Sequence, residues 1–249
     1  MVAAVIGLTG YAAFLGSGDK SASLPASGTP LPGPPASATT TATPVPVSTY
    51  SIPATWSEPA RWLAAPRGTR TVHGHEVGFP HTTDGAIGML LASSTYNVEG
   101  ATTTVDEQLT TYFTYTAESD RTPTREQRVR QGAAKADAQV RASMGAPESG
   151  PLPSGTWVRT HLVGFKIVQA RPDSVTAHVL LRTCQKAGET KSESVVYTVG
   201  TIAVAWLDED WKLDVTGGAS ASPGPVPEIA APGDAAFNVQ GWTAIRQAS

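Results

Sequence analysis

The chain changes its hydrophobic period once, past its middle. Between residues 82 and 144, apolar side chains recur three and four positions apart, which is the period of a helix with one buried face. Between residues 157 and 215, apolar and polar side chains alternate instead, which is the period of half-buried strands. The change falls in residues 145–155, a stretch interrupted by three prolines. The pattern therefore predicts helices followed by a sheet.

Two helices are predicted at the start of the helical region. The first begins at Thr82 or Thr83, since either side chain can cap it, and ends within residues 97–100. The second follows Thr104 and Glu107, which are spaced as a capping box. Both carry enough apolar side chains to pack on a sheet.

A third predicted helix begins at Thr122 or Thr124 and ends at Met144. It is rich in arginine and alanine, and its apolar content is thin. Its basic face suits a partner or an anionic surface. We favour the simpler interpretation, a solvated face stabilised by pairs within the helix such as Glu126 with Arg130.

Two long strands open the sheet region. Residues 157–170 alternate long enough to form one bent strand, in which Gly164 marks a bulge. Pro172 and Asp173 then turn the chain into a second strand. One face of this second strand is apolar and consists of Val175, Ala177, Val179 and Leu181.

The stretch from residue 194 to residue 215 predicts a hairpin. β-Branched and aromatic residues fill its first arm, and Trp206 and Trp211 flank an acidic turn. The turn residues 208–210 are expected to be solvated. Successive strands joined by short turns make an antiparallel meander, so the predicted class is α+β, with three helices packed on a bent antiparallel sheet.

Five regions follow from these patterns. Residues 1–17 are predicted to be an apolar anchor, either part of a transmembrane helix or the core of a signal peptide; an ordinary buried helix is the less favoured alternative. Residues 18–55 are a Pro/Ser/Thr-rich linker that cannot bury a core and is expected to be disordered. Residues 56–81 are an extended segment, residues 82–216 are the folded domain, and residues 217–249 are a Pro/Gly-rich tail.

The tail ends in a short apolar stretch that contains Trp242. An exposed tryptophan would leave a large apolar surface in water, so we expect this stretch to dock on the domain. The alternative is a short recognition peptide.

Composition narrows the function classes. The formal net charge of -3 argues against direct nucleic-acid binding, which usually needs a basic surface. The single cysteine, Cys184, allows no internal disulfide and is expected to be a small buried side chain. The chain has no phosphate-binding loop, nucleophile elbow or zinc motif. We therefore assign no catalytic, cofactor-binding or metal-ligating residue and expect no cofactor.

Histidines are the remaining candidates for chemistry. His73 and His75 would share one face of a strand, with His81 nearby, but without a placed carboxylate or cysteine they are expected to be exposed polar residues and not metal ligands. If the sheet held an active site, its contributors would be His161, His178, Tyr197 and Asp214. Trp157, Arg159 and His161 are two positions apart along the predicted strand, so they share one of its faces. Among the four contributors, His161 is the residue that can point inward.

The layout resembles the nuclear transport factor 2-like, cystatin-like cone fold over residues 82–215. The residues that carry the resemblance are His81-Thr82-Thr83-Asp84-Gly85-Ala86, which open the first helix, and Asp210-Trp211-Lys212-Leu213, which close the sheet. Anchor, spacer and domain together resemble membrane-anchored, extracytoplasmic proteins of actinobacterial conjugative elements, which are similar to the bitopic transfer-channel subunits of type IV secretion systems.

This resemblance implies a non-enzymatic scaffold or assembly subunit of a conjugative DNA-transfer or secretion apparatus. Its implied location is the cell membrane, crossed once, with the C-terminal domain outside; secretion is the alternative. Its implied partners are other subunits of an envelope-spanning assembly, with homo-oligomers left open. The alternative functions are a small-molecule binder or isomerase resembling ketosteroid isomerase, and an accessory membrane protein of a lipid-import system.

Overall fold

The computed structural model describes residues 55–215 and 225–246, which form an α+β fold. The predicted anchor and all but the last residue of the predicted linker lie outside the described residues. Within the described ranges, no helix is both long and apolar enough to cross a membrane.

Four α-helices and nine strands make up this part of the chain. The helices are α1 (Thr83–Ser94), α2 (Thr104–Tyr115), α3 (Pro123–Met144) and α4 (Ala235–Val239), with a 3-10 turn at Glu118–Asp120. The strands are β1 (Trp62–Ala64), β2 (Arg70–Val72), β3 (His75–Val77), β4 (Tyr96–Glu99), β5 (Thr156–Arg171), β6 (Ser174–Ala187), β7 (Ser194–Leu207), β8 (Asp210–Leu213) and β9 (Thr243–Arg246).

Seven strands form one sheet in the order β1-β9-β5-β6-β7-β8, with β4 also paired to β5. The meander from β5 to β8 is antiparallel, as the strand pattern predicts. Strand β5 slips register after Leu162 and again after Ile167, so the bulge predicted at Gly164 is confirmed. Such bulges bend a strand and increase its twist, which curves the sheet around the helices.

The main core lies between the curved sheet and the helices. Helix α1 contributes the fully buried Ile87, Met89 and Leu90 to this core. The apolar face predicted for β6 enters the same core. Helix α3 packs through a narrow stripe at Val129, Ala133, Ala136 and Val140, while its opposite side is exposed. The predicted pair forms there, since Arg130 Nη2 lies 3.0 Å from Glu126 Oε1.

A second core lies on the other face of the sheet. Leu180 and Tyr197 of the sheet contact the segment after residue 225, including Phe237 and Trp242. Trp242 is buried and its indole nitrogen donates to the Glu228 carbonyl at 3.2 Å. The closing stretch therefore packs on the domain, and β9 runs parallel to β1 at the sheet edge.

The hairpin β7–β8 holds the start of α1. Trp206 and Trp211 lie directly opposite each other, with ring centroids 5.5 Å apart. The Trp211 indole nitrogen donates to the Pro80 carbonyl at 2.9 Å. A Cβ atom at Gly85 would lie 1.9 Å from the Pro80 carbonyl oxygen, so glycine is required for this close approach. The helix is capped by Thr82, one of the two predicted caps.

Three local predictions are wrong. Helix α1 ends at Ser94, because Asn97 belongs to β4, which pairs with β5. The capping box of α2 is formed by Thr103 and Asp106, one position before the predicted pair; the side chain of Thr104 is buried and faces inward. The predicted solvated turn is exposed only at residues 208 and 209, since Asp210 is buried and accepts hydrogen bonds from Gly78 and Phe79.

Candidate functional site

Strands β4 and β9 pair with the same edge of β5 and leave a gap between them. A cleft of about 740 Å³ opens at this gap. Strand β4 pairs with β5 as far as Thr160, and β9 pairs with it from Gly164 onward. Because β9 runs antiparallel to β5, its last residue, Arg246, lies toward the β4 side of this gap and lines the cleft together with Tyr96, the first residue of β4. We call this feature the edge cleft. Its volume lies within the range of roughly 300–1,000 Å³ that small-molecule sites occupy.

Each wall of the edge cleft comes from a different element. The floor is the side of α1 that carries Gly88, Leu91 and Ala92. One wall consists of residues 65–67, together with Gly74 of the β2–β3 turn and the first two residues of β3. The opposite wall consists of β4 and α2, and the back is β5 and β9. Apolar side chains thus cover the floor, and charged ones surround it.

Three arginines and two glutamates line the edge cleft: Arg67, Arg159, Arg246, Glu76 and Glu107. Arg67 forms an ion pair with Glu76, which also accepts from the Gly68 amide at 3.1 Å. Arg159 Nη2 lies 3.1 Å from Glu99 Oε2, at the rim. Arg246 stacks over the ring of Trp62 at 5.3 Å and has no carboxylate partner among the described residues. Arg246 is therefore the cation left available to a ligand.

His161 lies at the back of the edge cleft and is half-buried. Its Nδ1 atom is buried, and no described group bonds to it. Burial lowers the pKa of His161, and the positive charges of Arg182 and Arg159 lower it further. The imidazole is thus held neutral in an electropositive environment.

His161 belongs to a row of side chains that crosses three strands. It lies opposite Arg182 on β6, and Arg182 lies opposite Tyr197 on β7. Arg182 also bonds to the Tyr197 hydroxyl. The prediction that His161 points into the cone is wrong, because the bulge and the alternation place its neighbour Leu162 in the main core instead. His161 and Arg182 lie on the face of the sheet away from Leu162, and His161 reaches the edge cleft beside the gap between β4 and β9.

Glu107 is the half-buried carboxylate of the edge cleft. Burial raises its pKa, while a hydrogen bond from the Asn97 backbone acts in the opposite direction. From its spacing to Thr104, Glu107 was predicted to belong to a capping box, so the sequence did not identify it as a residue of a cleft. Arg246 was missed as well, because the only signal was a basic residue at the end of the short apolar stretch after Trp242.

The other sheet residues named as contributors do not join His161 in one site. Tyr197 is buried two strands away, behind Arg182. His178 is buried and bonds through Nδ1 to Thr201 Oγ1 at 2.8 Å. Asp214 follows β8 and its amide donates to Ala203. These groups support the sheet and do not converge on a reaction centre.

The N-terminal histidines also lie apart. His73 and Gly74 form the two-residue turn between β2 and β3, both with positive φ, so His73 and His75 do not share a strand face. His75 contacts the edge of the Tyr115 ring, and His81 stacks on Trp206 with ring centroids 4.0 Å apart. In the described ranges, no three His, Cys, Asp or Glu side chains are grouped to hold a metal ion.

Lowering the pH is expected to lower the stability of the fold through its buried histidines. Burial, and then the charge of Lys166 opposite it on β5, hold the pKa of His178 below its ordinary value of 6.5. As the pH falls through 6.5 toward the lowered value, the unfolded chain binds more protons than the folded chain, so the free energy of unfolding falls. Above 6.5 this contribution is fully present.

The measurement is urea unfolding at about pH 7.5 and about pH 5.5, on either side of the ordinary histidine pKa. The variant His178→Asn keeps a polar group near Thr201 but cannot be protonated, so its loss of stability at the lower pH is expected to be smaller. His75 and His161 titrate in the same direction and account for the remaining dependence. Equal pH dependence in the variant and the wild type would contradict the assignment to His178.

No curated protein and no solved structure matches the chain significantly. A family model described as a domain of unknown function, DUF8175, matches residues 17–232. The match spans most of the chain, including all of the predicted linker and the core elements from β1 to β8. The chain therefore belongs to the DUF8175 family.

Proposed function

We propose that the chain is a non-enzymatic scaffold or assembly subunit, tethered to the membrane by its N-terminal segment and acting outside it. The apparatus that we propose for it is a conjugative DNA-transfer or secretion assembly. Its partners are then other subunits of that assembly. The observation that carries this proposal is the filled interior of the curved sheet.

An enzyme resembling ketosteroid isomerase needs a carboxylate or histidine inside the cone, with room for a substrate. The interior of this sheet is instead filled by apolar side chains. Phe165 and Leu181 are buried there, and Ile167 and Trp206 pack against them. A filled interior suits a rigid body that presents its outer surface to partners.

We also propose that the arrangement is a nuclear transport factor 2-like cone. Three helices precede a four-stranded antiparallel meander, and β5 is bent at two register shifts. Strands β1 and β9, at the edge beyond β5, are additions to that layout. An experimentally determined structure in which the helices pack outside the concave side of the sheet would contradict this proposal.

Fractionation of cells that express the full chain tests the assembly function. We expect the protein to sediment with membranes, to resist extraction by alkaline carbonate, and to be digested by protease added outside intact protoplasts. After mild detergent extraction, it is expected to migrate in a complex with other envelope subunits. Recovery from the cytoplasm, release into the medium, or extraction as a lone monomer would each contradict the proposal.

The edge cleft favours a second candidate, a small-molecule-binding function. It has an apolar floor on α1 and a few charged groups around it, which is the composition of many ligand sites. This candidate needs no catalytic residue. It is compatible with the assembly function, since the edge cleft lies outside the filled interior.

A further inference from the structure

We propose that the edge cleft binds an amphipathic organic anion, with its negative head group at Arg246 and His161 and its apolar body on α1 and Pro66. The proposal rests on the small-molecule-binding candidate and names its ligand class. It does not depend on the assembly function, which fractionation tests separately.

The floor of the edge cleft suits an apolar body. Leu91 and Ala92 are half-buried on the side of α1 that faces the cleft. Pro66 closes one end, because α1 and this segment touch: a Cβ atom on Gly88 would lie 2.4 Å from the Pro66 carbonyl oxygen. A ligand that covers these side chains removes apolar surface from water, which favours binding.

The back of the edge cleft suits a negative charge. Arg246 is held by stacking on Trp62, so its guanidinium is positioned without being neutralised. Arg159 and Arg182 place two further positive charges near His161. An anion here gains a charge-assisted hydrogen bond from a guanidinium, the strong class of protein hydrogen bonds. A cationic head group would be repelled by the same three arginines.

The two carboxylates of the edge cleft do not cancel this preference. Glu76 is neutralised by Arg67 and bonded to the Gly68 amide. Glu107 is bonded to the Asn97 backbone on the β4 side of the cleft, and its burial already disfavours its charged form. Arg67 and Arg159 are each paired with a glutamate, so the charged groups of the lining outside these pairs are Arg246 at the back and Glu107 on the β4 side.

Binding is measured with the full chain carrying ¹³C-labelled histidine, which places a reporter at each of its five imidazoles. The signal of His161 is assigned with His161→Gln. The probes share one ring: cyclohexanecarboxylate, cyclohexylmethanol and cyclohexylmethylamine, with acetate as the head group alone. We expect cyclohexanecarboxylate to shift the His161 signal saturably and to raise the pKa of His161.

Arg246→Gln is expected to weaken this binding about tenfold or more, because a hydrogen bond to a charged group is worth about 1.5–3 kcal/mol. The matched control is Arg128→Gln, which removes an exposed arginine of α3, a helix that contributes no residue to the lining of the edge cleft. This control is expected to leave the affinity unchanged. The signals of the other four histidines report whether each variant stays folded.

Each of the following outcomes either supports or overturns the proposal. A saturable shift with the carboxylate, weak binding of the alcohol and amine, and loss of affinity in Arg246→Gln support it. Equal binding of the alcohol, equal or stronger binding of the amine, equal binding of acetate, or no shift at His161 would overturn it. So would an Arg246→Gln variant that binds as well as the wild type. None of these results bears on membrane association.

Discussion

Replacing Asp210 by alanine is expected to lower the free energy of unfolding by about 3–5 kcal/mol, the cost of breaking a buried charged group from its partners. The Asp210 side chain is buried and accepts from the amides of Gly78 at 3.0 Å, Phe79 at 3.2 Å and Trp211 at 2.9 Å. Lys212 Nζ lies 3.4 Å from it and is largely buried too. The substitution leaves these donors without their acceptor.

Two further variants separate charge from shape in the urea-unfolding measurement. Asp210→Asn keeps one acceptor oxygen, so it is expected to cost less than alanine while still leaving Lys212 without its counter-charge. Glu148→Ala removes an exposed carboxylate and is expected to change stability by no more than about 0.5 kcal/mol. If Asp210→Ala cost no more than Glu148→Ala, Asp210 would not be the anchor between the hairpin and residues 78–79.

Asp210 also shows where prediction from sequence fails. An aspartate beside a hairpin turn has two equally ordinary environments, water or the amides of another segment. Two of the three amides that bind it belong to residues 131 and 132 positions earlier in the chain. Nothing in the local pattern distinguishes the two environments, so the simpler one was predicted and was wrong.

The long elements were predictable because their signals are local. Helix α3 spans six turns with a regular buried stripe, at roughly 3.6 residues per turn, and each of β5 to β7 is an uninterrupted strand of 14 to 16 residues. Strands β1, β4 and β9 have only three or four residues. Their existence depends on pairing with distant segments, as Trp62 pairs with Ala244, and a few residues carry no periodic signal of their own.

The edge cleft was less predictable than the fold. His161 is recognisable from the sequence as a candidate. The face of the sheet on which its side chain lies depends on the bulge near Gly164, because a bulge changes which positions of a strand face the core. The glycine alone does not show this change. Arg246 reaches the cleft only because β9 pairs with β5 after the chain has crossed the other face of the sheet. A site built from six separate helices and strands leaves no compact motif.

Replacing Trp242 by alanine is expected to cost about 3–5 kcal/mol, the usual cost of truncating a buried large aromatic side chain. The Trp242 ring is 1% exposed, stacks near Phe237 and donates to the Glu228 carbonyl. The matched control is Val239→Ala, in the same segment, where the side chain is 83% exposed. That control is expected to change stability by no more than about 0.5 kcal/mol.

The way in which the Trp242→Ala variant unfolds shows whether the segment after residue 225 is a separate appendage or an integral part of the fold. Ala244 packs in the second core, while the next residue, Ile245, packs in the main core with α1. A strand that contributes to both cores cannot leave without exposing each of them, so Trp242→Ala is expected to unfold in one transition with an unchanged dependence on urea. Amide hydrogen exchange should then accelerate in β6 and β7 as well as in β1 and β9. Faster exchange confined to β1, β9 and residues 225–242, with a separate early transition, would show that the segment detaches alone.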